Sequence, residues 1–345
     1  MPDKKSGAGN RLEPWKNISK RIRSSIQTKK MFLQKSFIGK NKWYLYLLVL
    51  VLVFVLAQVG GIPFAVYAMM TNLDAVQVGD TAALSQVRDT AGLALMLFSF
   101  AVGLLALVVF ARIFQGKRFV DYTTGRRRWD VRRFGFGFLV WGILVTLVTV
   151  QQVLSDADVV LNFEPSKFFP LLLVGLVLFP FQTGFEEVVF RGYLMQGSAL
   201  LFRYRWAALL ATSLLFGLMH SANPEIDTFG FWTAMPQYVL MGLIMGFVAI
   251  KDDGIELAAG MHFANNLMSS LLVTSNGMVF DTAAVFRDLS PEVGWTDTLV
   301  MAVAGVVFVL ICRAWYGFRG KVNLWGRVVR PEKTVLDSFS LPKMP

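Results

Sequence analysis

The sequence predicts an all-α fold: a polytopic membrane helical bundle of about eight transmembrane helices, with both termini on the cytoplasmic side. Three observations lead to this prediction: the composition, a series of long apolar runs, and the alternation of basic and acidic connections between them. The residues are 55% hydrophobic and 17% charged, and the mean hydropathy is +0.53. A water-soluble core of ordinary proportions is less apolar, so we expect the bilayer to be the solvent and membrane lipid a partner.

The chain begins with a basic leader at residues 1–42. It has no short apolar run followed by a small-residue cleavage site, so it does not resemble a removable signal peptide. Four apolar residues, Trp15, Ile18, Ile22 and Ile26, recur at helical spacing among lysines and arginines. This pattern is typical of an amphipathic helix on an anionic membrane surface. A solvated basic tail is the alternative interpretation, and the sequence leaves both open.

Apolar runs follow the leader. A helix needs about 20 residues to cross roughly 30 Å of hydrocarbon, and eight runs approach or exceed that length. They are residues 43–70, 91–114, 134–154, 168–202, 206–221, 233–250, 255–273 and 298–315. We therefore assign residues 43–317 to one transmembrane domain, followed by a basic cytoplasmic tail at 318–345.

The connections between these runs alternate in charge. Basic residues collect in the leader, between spans two and three (117–133), between four and five (203–205), between six and seven (Lys251), and after span eight (313–330). The other connections carry mainly acids, which places the basic ones in the cytoplasm by the positive-inside rule. Topology thus accounts for the net charge of +11, and we predict no nucleic-acid partner. The expected location is a cell membrane, with a bacterial inner membrane favoured and the endoplasmic reticulum the alternative in a eukaryote. The sequence predicts no oligomeric state.

Span four contains a dense group of ionisable residues: Glu186, Glu187 and Arg191. Together they would cost roughly 8–10 kcal/mol if left unpaired at the bilayer centre. Glu187 and Arg191 lie four residues apart, in the order that favours an ion pair, while Glu186 points about 100° away. One interpretation is that all three only hold helices together. The other is that Glu186 has a separate task.

The chain has two histidines, and both lie in apolar spans. His220 closes a Phe-x-x-x-His run that begins at Phe216, and His262 opens a His-x-x-x-Asn run that ends at Asn266. A single intramembrane histidine is usually a hydrogen-bonding contact between helices. Two of them, together with the carboxylate pair, favour a polar site inside the bundle. The single cysteine, Cys312, is expected to be packing.

Three motifs, in this order along the chain, resemble the signature of the CPBP family. They are Glu-Glu-x-x-x-Arg at 186–191, Phe-x-x-x-His at 216–220 and His-x-x-x-Asn at 262–266. This family comprises CAAX-prenyl endopeptidases and bacteriocin-processing (Abi) membrane proteins. The resemblance covers the core of the transmembrane domain, at 168–273. It leaves the leader, the first three spans and the tail unmatched.

The resemblance implies an intramembrane endopeptidase whose cavity opens toward the cytoplasm and whose substrate is a membrane-associated or prenylated peptide. By the same resemblance, Glu186 would activate water and His220 would orient the water or the substrate. His262 and Asn266 would stabilise the oxyanion, a role that suits preorganised donors. The supporting residues would be Glu187, Arg191 and Phe216.

Three alternatives stay open. The mechanism could use zinc, with Glu186, His220 and His262 as ligands, although the spacing lacks a His-Glu-x-x-His helix. The protein could act by binding, as an immunity factor or a regulator of another membrane protein. It could also be a transporter that uses the buried charges as a relay. Counted from the cytoplasmic span ends, the three ligands lie at unequal depths, roughly 25, 22 and 13 Å, so the enzyme prediction requires tilted or irregular helices.

Overall fold

The computed structural model describes residues 31–79, 84, 89–276, 278–279, 281–318 and 322–333. The amphipathic helix proposed for the leader lies outside these residues. In chain order, the helices are α1 (Trp43–Thr71), α2 (Leu73–Val78), α3 (Thr90–Gln115), α4 (Phe119–Thr123), α5 (Val131–Ser155), α6 (Pro165–Glu187), α7 (Met195–Phe202), α8 (Arg205–Met219), α9 (Pro224–Phe229), α10 (Phe231–Asp252), α11 (Glu256–Leu272) and α12 (Trp295–Tyr316). A π-helical segment, Val188–Leu194, joins α6 to α7. Three short strands are β1 (Val159–Leu161), β2 (Val273–Ser275) and β3 (Phe286–Asp288).

The predicted fold class, a multi-pass helical membrane bundle, is confirmed. Within the described residues, six helical stretches are long and apolar enough to cross a bilayer: α1, α3, α5, α6 through α7, α10 and α12. The other two predicted spans correspond to α8, with 15 residues, and α11, with 17 residues. At 1.5 Å per residue they are about 22 and 26 Å long, slightly short of the hydrocarbon thickness. The number eight is therefore an approximation that counts two shorter inner helices.

Helix α11 lies at the centre of the bundle, where α5 and α6 both pack against it. Most of its first nine residues are fully buried, in contrast to the lipid-facing helices. Two glycines allow α5 and α11 to approach closely. A Cβ atom on Gly260 would overlap the backbone carbonyl oxygen of Phe134, and one on Gly137 would overlap that of Leu257. The glycines thus set the position of α11, which carries His262 and Asn266.

We expect Gly260→Ala to destabilise the protein by about 1–3 kcal/mol, because the added methyl group would force two backbones apart. Gly135→Ala is the matched control, since a Cβ at Gly135 meets no atom within 4 Å. In a helix interior that control should be neutral or slightly stabilising. Thermal unfolding in detergent measures both variants. Equal melting temperatures for the two would contradict the close-packing explanation.

A polar layer closes the end of the bundle that carries the arginine-rich connection, the end predicted to be cytoplasmic; we call Tyr46, Lys117, Tyr122, Tyr193 and Gln196 the cytoplasmic layer. All five side chains are buried. Lys117 Nζ donates to Tyr46 Oη at 2.9 Å and to Gln196 Oε1 at 3.1 Å. The Tyr193 ring packs on both other tyrosine rings, with centroid distances of 4.8 and 6.1 Å. The layer joins α1, the loop after α3, α4 and the α6–α7 stretch.

The chain segments on either side of the transmembrane domain also pack against this end. Gln196 Nε2 donates to the carbonyl oxygen of Phe32 at 2.8 Å, and Phe32 is itself buried. Near the other terminus, the backbone N–H of Val328 donates to the carbonyl oxygen of Arg203 at 2.7 Å. Residues 31–37 of the leader and 322–328 of the tail are therefore docked on the bundle.

Burial in the cytoplasmic layer lowers the pKa of Lys117 to about 7, against the smaller, opposite effect of nearby Asp121. An unfolded lysine titrates near 10.4, so the unfolded state binds more protons between about pH 7 and pH 10. The free energy of unfolding should therefore rise with pH through this range.

We expect thermal unfolding at pH 7 and pH 9 to show this rise in the free energy of unfolding, and Lys117→Met to reduce it. Part of the rise should persist, because burial also lowers the pKa of Lys35 to about 8. An unchanged pH dependence in Lys117→Met would contradict this assignment.

The opposite end of the bundle carries a small sheet in the order β1-β3-β2. Strand β1 is antiparallel to β3, with Val160 opposite Arg287, and β2 is parallel to β3, with Thr274 opposite Arg287. Because β2 directly follows α11, the sheet fixes the loop that runs from α11 to α12 over this end.

Candidate active site

The carboxylate pair lies at the junction of α6 and the π-helical segment. Both Glu186 and Glu187 are buried, with 8% and 0% of their surface exposed. A π-helical turn adds a residue to the helical repeat, and such turns occur frequently at functional sites. Gly192, within the segment, packs against the backbone carbonyl of Tyr122, with no room for a side chain. The irregular turn is thus held between the site and the cytoplasmic layer.

Glu187 is the hub of the buried charges. Its Oε1 accepts a hydrogen bond from Arg191 Nη1 at 2.8 Å and lies 2.8 Å from His262 Nδ1. The Arg191 guanidinium also lies over the Phe216 ring, 4.0 Å from its centroid. The ion pair indicated by the four-residue spacing is therefore present, and its anion also holds a histidine from α11.

This contact orients His262. A carboxylate only accepts hydrogen bonds, so Nδ1 carries a hydrogen and donates it to Glu187. The second ring nitrogen, Nε2, then faces Glu186 Oε2 at 3.5 Å. The imidazole therefore lies between the two glutamates, with one nitrogen anchored and the other directed at Glu186.

The second carboxylate oxygen of Glu186, Oε1, is held by a hydrogen bond. Gln182 Nε2 donates to Glu186 Oε1 at 2.5 Å. Glu186 Oε2 accepts no hydrogen bond from the described part of the protein. One oxygen is therefore fixed, while the oxygen nearest His262 remains available to a substrate or to water.

Asn266 joins the same network. Its Nδ2 donates to Gln182 Oε1 at 2.9 Å, and its Oδ1 accepts from Asn265 at 3.2 Å. Trp141 Nε1 donates to Asn265 Oδ1 at 3.1 Å. An amide nitrogen has two hydrogens, so Asn266 keeps one donor after binding Gln182.

His220 lies at the end of α8, where its Nδ1 is 2.7 Å from the carbonyl oxygen of Phe216. Its ring stacks on Tyr238, with a centroid distance of 4.4 Å. The Phe216 ring contacts both imidazoles, at 4.6 Å from His220 and 5.9 Å from His262. Phe216 therefore links the two histidines that the unequal span depths seemed to separate.

All four proposed catalytic residues line one cavity of about 580 Å³. The depth mismatch disappears because the α6–α7 stretch has 38 residues, about 57 Å of helix. Such a helix extends beyond the hydrocarbon, so distances counted from its end do not measure depth. The cavity walls are mostly apolar, with the aromatic residues Phe54, Phe100, Phe185 and Phe190 among them.

Sequence reasoning missed three contributors: Gln182, Tyr238 and Trp141. Gln182 precedes Glu186 by one helical turn, and this spacing was a usable signal. Tyr238 and Trp141 reach the site from α10 and α5, and only the packing of helices places them there. The cavity wall also includes Glu225, whose Oε1 accepts from the backbone N–H of Val279 at 2.9 Å. Burial raises the pKa of Glu225.

The zinc alternative concerns Glu186, His220 and His262. Among the described residues, no group of three His, Cys, Asp or Glu side chains is arranged to hold a metal ion. Each histidine uses Nδ1 in a hydrogen bond, to Glu187 or to a backbone carbonyl, and this leaves Nε2 as the nitrogen that a metal would bind. Sensitivity to a chelator therefore distinguishes the two mechanisms.

Comparison with known proteins agrees with the motif pattern. A protein from Bacillus subtilis (strain 168), described as uncharacterized protein YyaK, is 27% identical over 288 residues, which are 83% of this chain and 95% of that protein. No solved structure matches the chain. Residues 165–268 match the family described as type II CAAX prenyl endopeptidase Rce1-like, and the resemblance to CAAX-prenyl endopeptidases is thereby confirmed for the part of the chain that holds the site.

Proposed function

We propose that this protein is an intramembrane endopeptidase of the CAAX-protease type, in which Glu186 activates water to hydrolyse a peptide bond of a membrane-associated or lipid-modified substrate. One observation carries the proposal: a free carboxylate oxygen of Glu186 faces His262 Nε2 across 3.5 Å inside a cavity. The match of residues 165–268 to an endopeptidase family supports the same reaction class.

In this mechanism, water attacks the scissile carbonyl carbon while Glu186 Oε2 takes one of its protons. The carbonyl oxygen becomes an oxyanion. The free N–H of Asn266 and a protonated His262 Nε2 donate to it, and Glu187 stabilises the charged imidazole through Nδ1. The C–N bond then breaks as Glu186 passes its proton to the leaving amine. The products are one carboxylate and one amine.

Gln182 positions both the proposed base and a proposed oxyanion donor, because its side-chain amide binds Glu186 and Asn266. His220, stacked on Tyr238, would orient the water or the substrate from the opposite wall. The membrane would be the cytoplasmic membrane of a bacterium, as in the organism of the Bacillus relative.

The test is cleavage by the purified full chain in lipid vesicles, followed by mass spectrometry. The panel contains prenylated CAAX peptides, the same peptides without the lipid, and short membrane-protein precursors, each with and without chelator. Cleavage that survives chelation supports the proposal, whereas chelator-sensitive cleavage supports the zinc alternative. Failure to cleave any member, by a protein with a native melting transition, would favour the immunity-factor or regulator alternative.

A further inference from the structure

The cavity extends from Glu186 toward the end of the bundle that carries the small sheet. Its wall includes residues beyond the ends of α8 and α11 and before the start of α12: Asn223, Glu225, Phe229, Val273, Met278, Val279 and Val293. These residues are half-buried, as expected at the rim of an opening. None of the residues that line the cavity comes from the connections at the opposite end of the bundle, at 117–133, 203–205 and 251–254.

The other end is closed. The cytoplasmic layer is buried, and hydrogen bonds made by Lys117 and Gln196 connect α1, α4 and the α6–α7 stretch. Beyond it, Arg126 forms ion pairs with Asp252 at 2.9 Å and Glu256 at 3.1 Å. These contacts seal the bundle between the glutamates and the cytoplasm.

Charge fixes which face is which. The connections at the sealed end hold the arginine-rich run at 126–133 and the basic tail. The connections at the rim end hold acids, among them Asp156, Asp158, Glu164, Asp227 and Glu292. Basic connections remain in the cytoplasm, so the rim lies on the extracytoplasmic side. This orientation differs from the opening toward the cytoplasm that the family resemblance implies.

We infer that the active site receives its substrate from the extracytoplasmic side, and that the substrate is an exported or membrane-anchored peptide whose scissile segment lies at the outer leaflet. This inference rests on the proposed peptidase function and specifies its substrate class. The apolar aromatic wall suits an anchoring segment or a lipid group, and the polar rim suits the peptide backbone that follows it.

The first test uses two single-span reporters that carry the same scissile sequence on opposite sides of the membrane. They are coexpressed with wild-type protein or with Glu186→Gln. The expected result is Glu186-dependent cleavage of the outer reporter, at least 10-fold faster than that of the inner reporter. Glu186-dependent cleavage of the inner reporter alone would overturn the inference and leave the proposed function standing. Cleavage of neither would instead count against the proposed function.

A second test does not depend on activity. Cys312 is the only cysteine of the chain, so Cys312→Ala gives a background for single-cysteine variants. Ser269→Cys places a thiol on the cavity wall of α11. A membrane-impermeant maleimide should label it in right-side-out vesicles and not in inverted vesicles. Labelling from the cytoplasmic side only, or from neither side, would overturn the inference.

Two exposed positions serve as orientation controls. Asp227→Cys, in the short helix α9, should react only in right-side-out vesicles. Arg132→Cys, at the start of α5, should react only in inverted ones. The reverse pattern for these controls would show that the charge-based orientation is wrong, and the inference would fall with it.

Discussion

Glu186→Gln should lower the rate of peptide cleavage by about 10²- to 10⁴-fold, the contribution typical of a general base. The amide keeps the size and shape of the carboxylate but cannot take a proton from water. Because Gln182 Nε2 would still find an oxygen acceptor at this position, the fold should be retained. The measurement is kcat for the best substrate of the vesicle panel, together with the melting temperature.

The matched control for this substitution is Glu292→Gln, which makes the same chemical change on an exposed loop residue. We expect it to cleave at the wild-type rate. If Glu186→Gln retained activity within twofold of the wild type, the glutamate mechanism would be wrong even if the protein is a peptidase.

Glu187→Gln should have the largest effect on stability, a loss of about 3–5 kcal/mol, as expected when one partner of a buried ion pair is removed. Arg191 is only 1% exposed, so its charge would remain buried beside a neutral amide. His262 Nδ1 would lose its anionic partner at the same time. Activity should therefore fall together with the free energy of unfolding, which is measured by denaturant titration in mixed micelles.

Glu164→Gln controls for this loss, because Glu164 pairs with Lys167 at the other end of α6. That pair is exposed, with side-chain exposures of 51% and 65%, and pairs of this kind contribute between zero and about 1 kcal/mol. Similar destabilisation by the two substitutions would show that the buried pair contributes no more than the exposed one.

Local patterns predicted much of the bundle. Hydropathy located the spans because a bilayer imposes both length and polarity on a helix. The Glu187–Arg191 pair followed from helical periodicity, since residues four apart share a face. The position of His262 relative to Asn266 followed from the same rule.

Contacts between helices were not predictable in this way. No local pattern states that His262 bridges both glutamates or that Tyr238 stacks on His220, because both contacts depend on how α6, α8, α10 and α11 pack. The cytoplasmic layer could not be predicted either, because its polar residues come from four separate segments of the chain. The π-helical turn was only hinted at by Gly192 in the sequence.

The π-helical segment divides the α6–α7 stretch into two parts whose angular settings are independent. One residue corresponds to about 100° of rotation, so the added residue lets Glu186 face the cavity and Glu187 face His262, while Tyr193 and Gln196 belong to the cytoplasmic layer. Deleting a single residue from Val188–Leu194 would turn one part against the other by that angle. The number of residues in the stretch sets the rotation of one part relative to the other. That number is therefore constrained more tightly than the identity of the lipid-facing side chains.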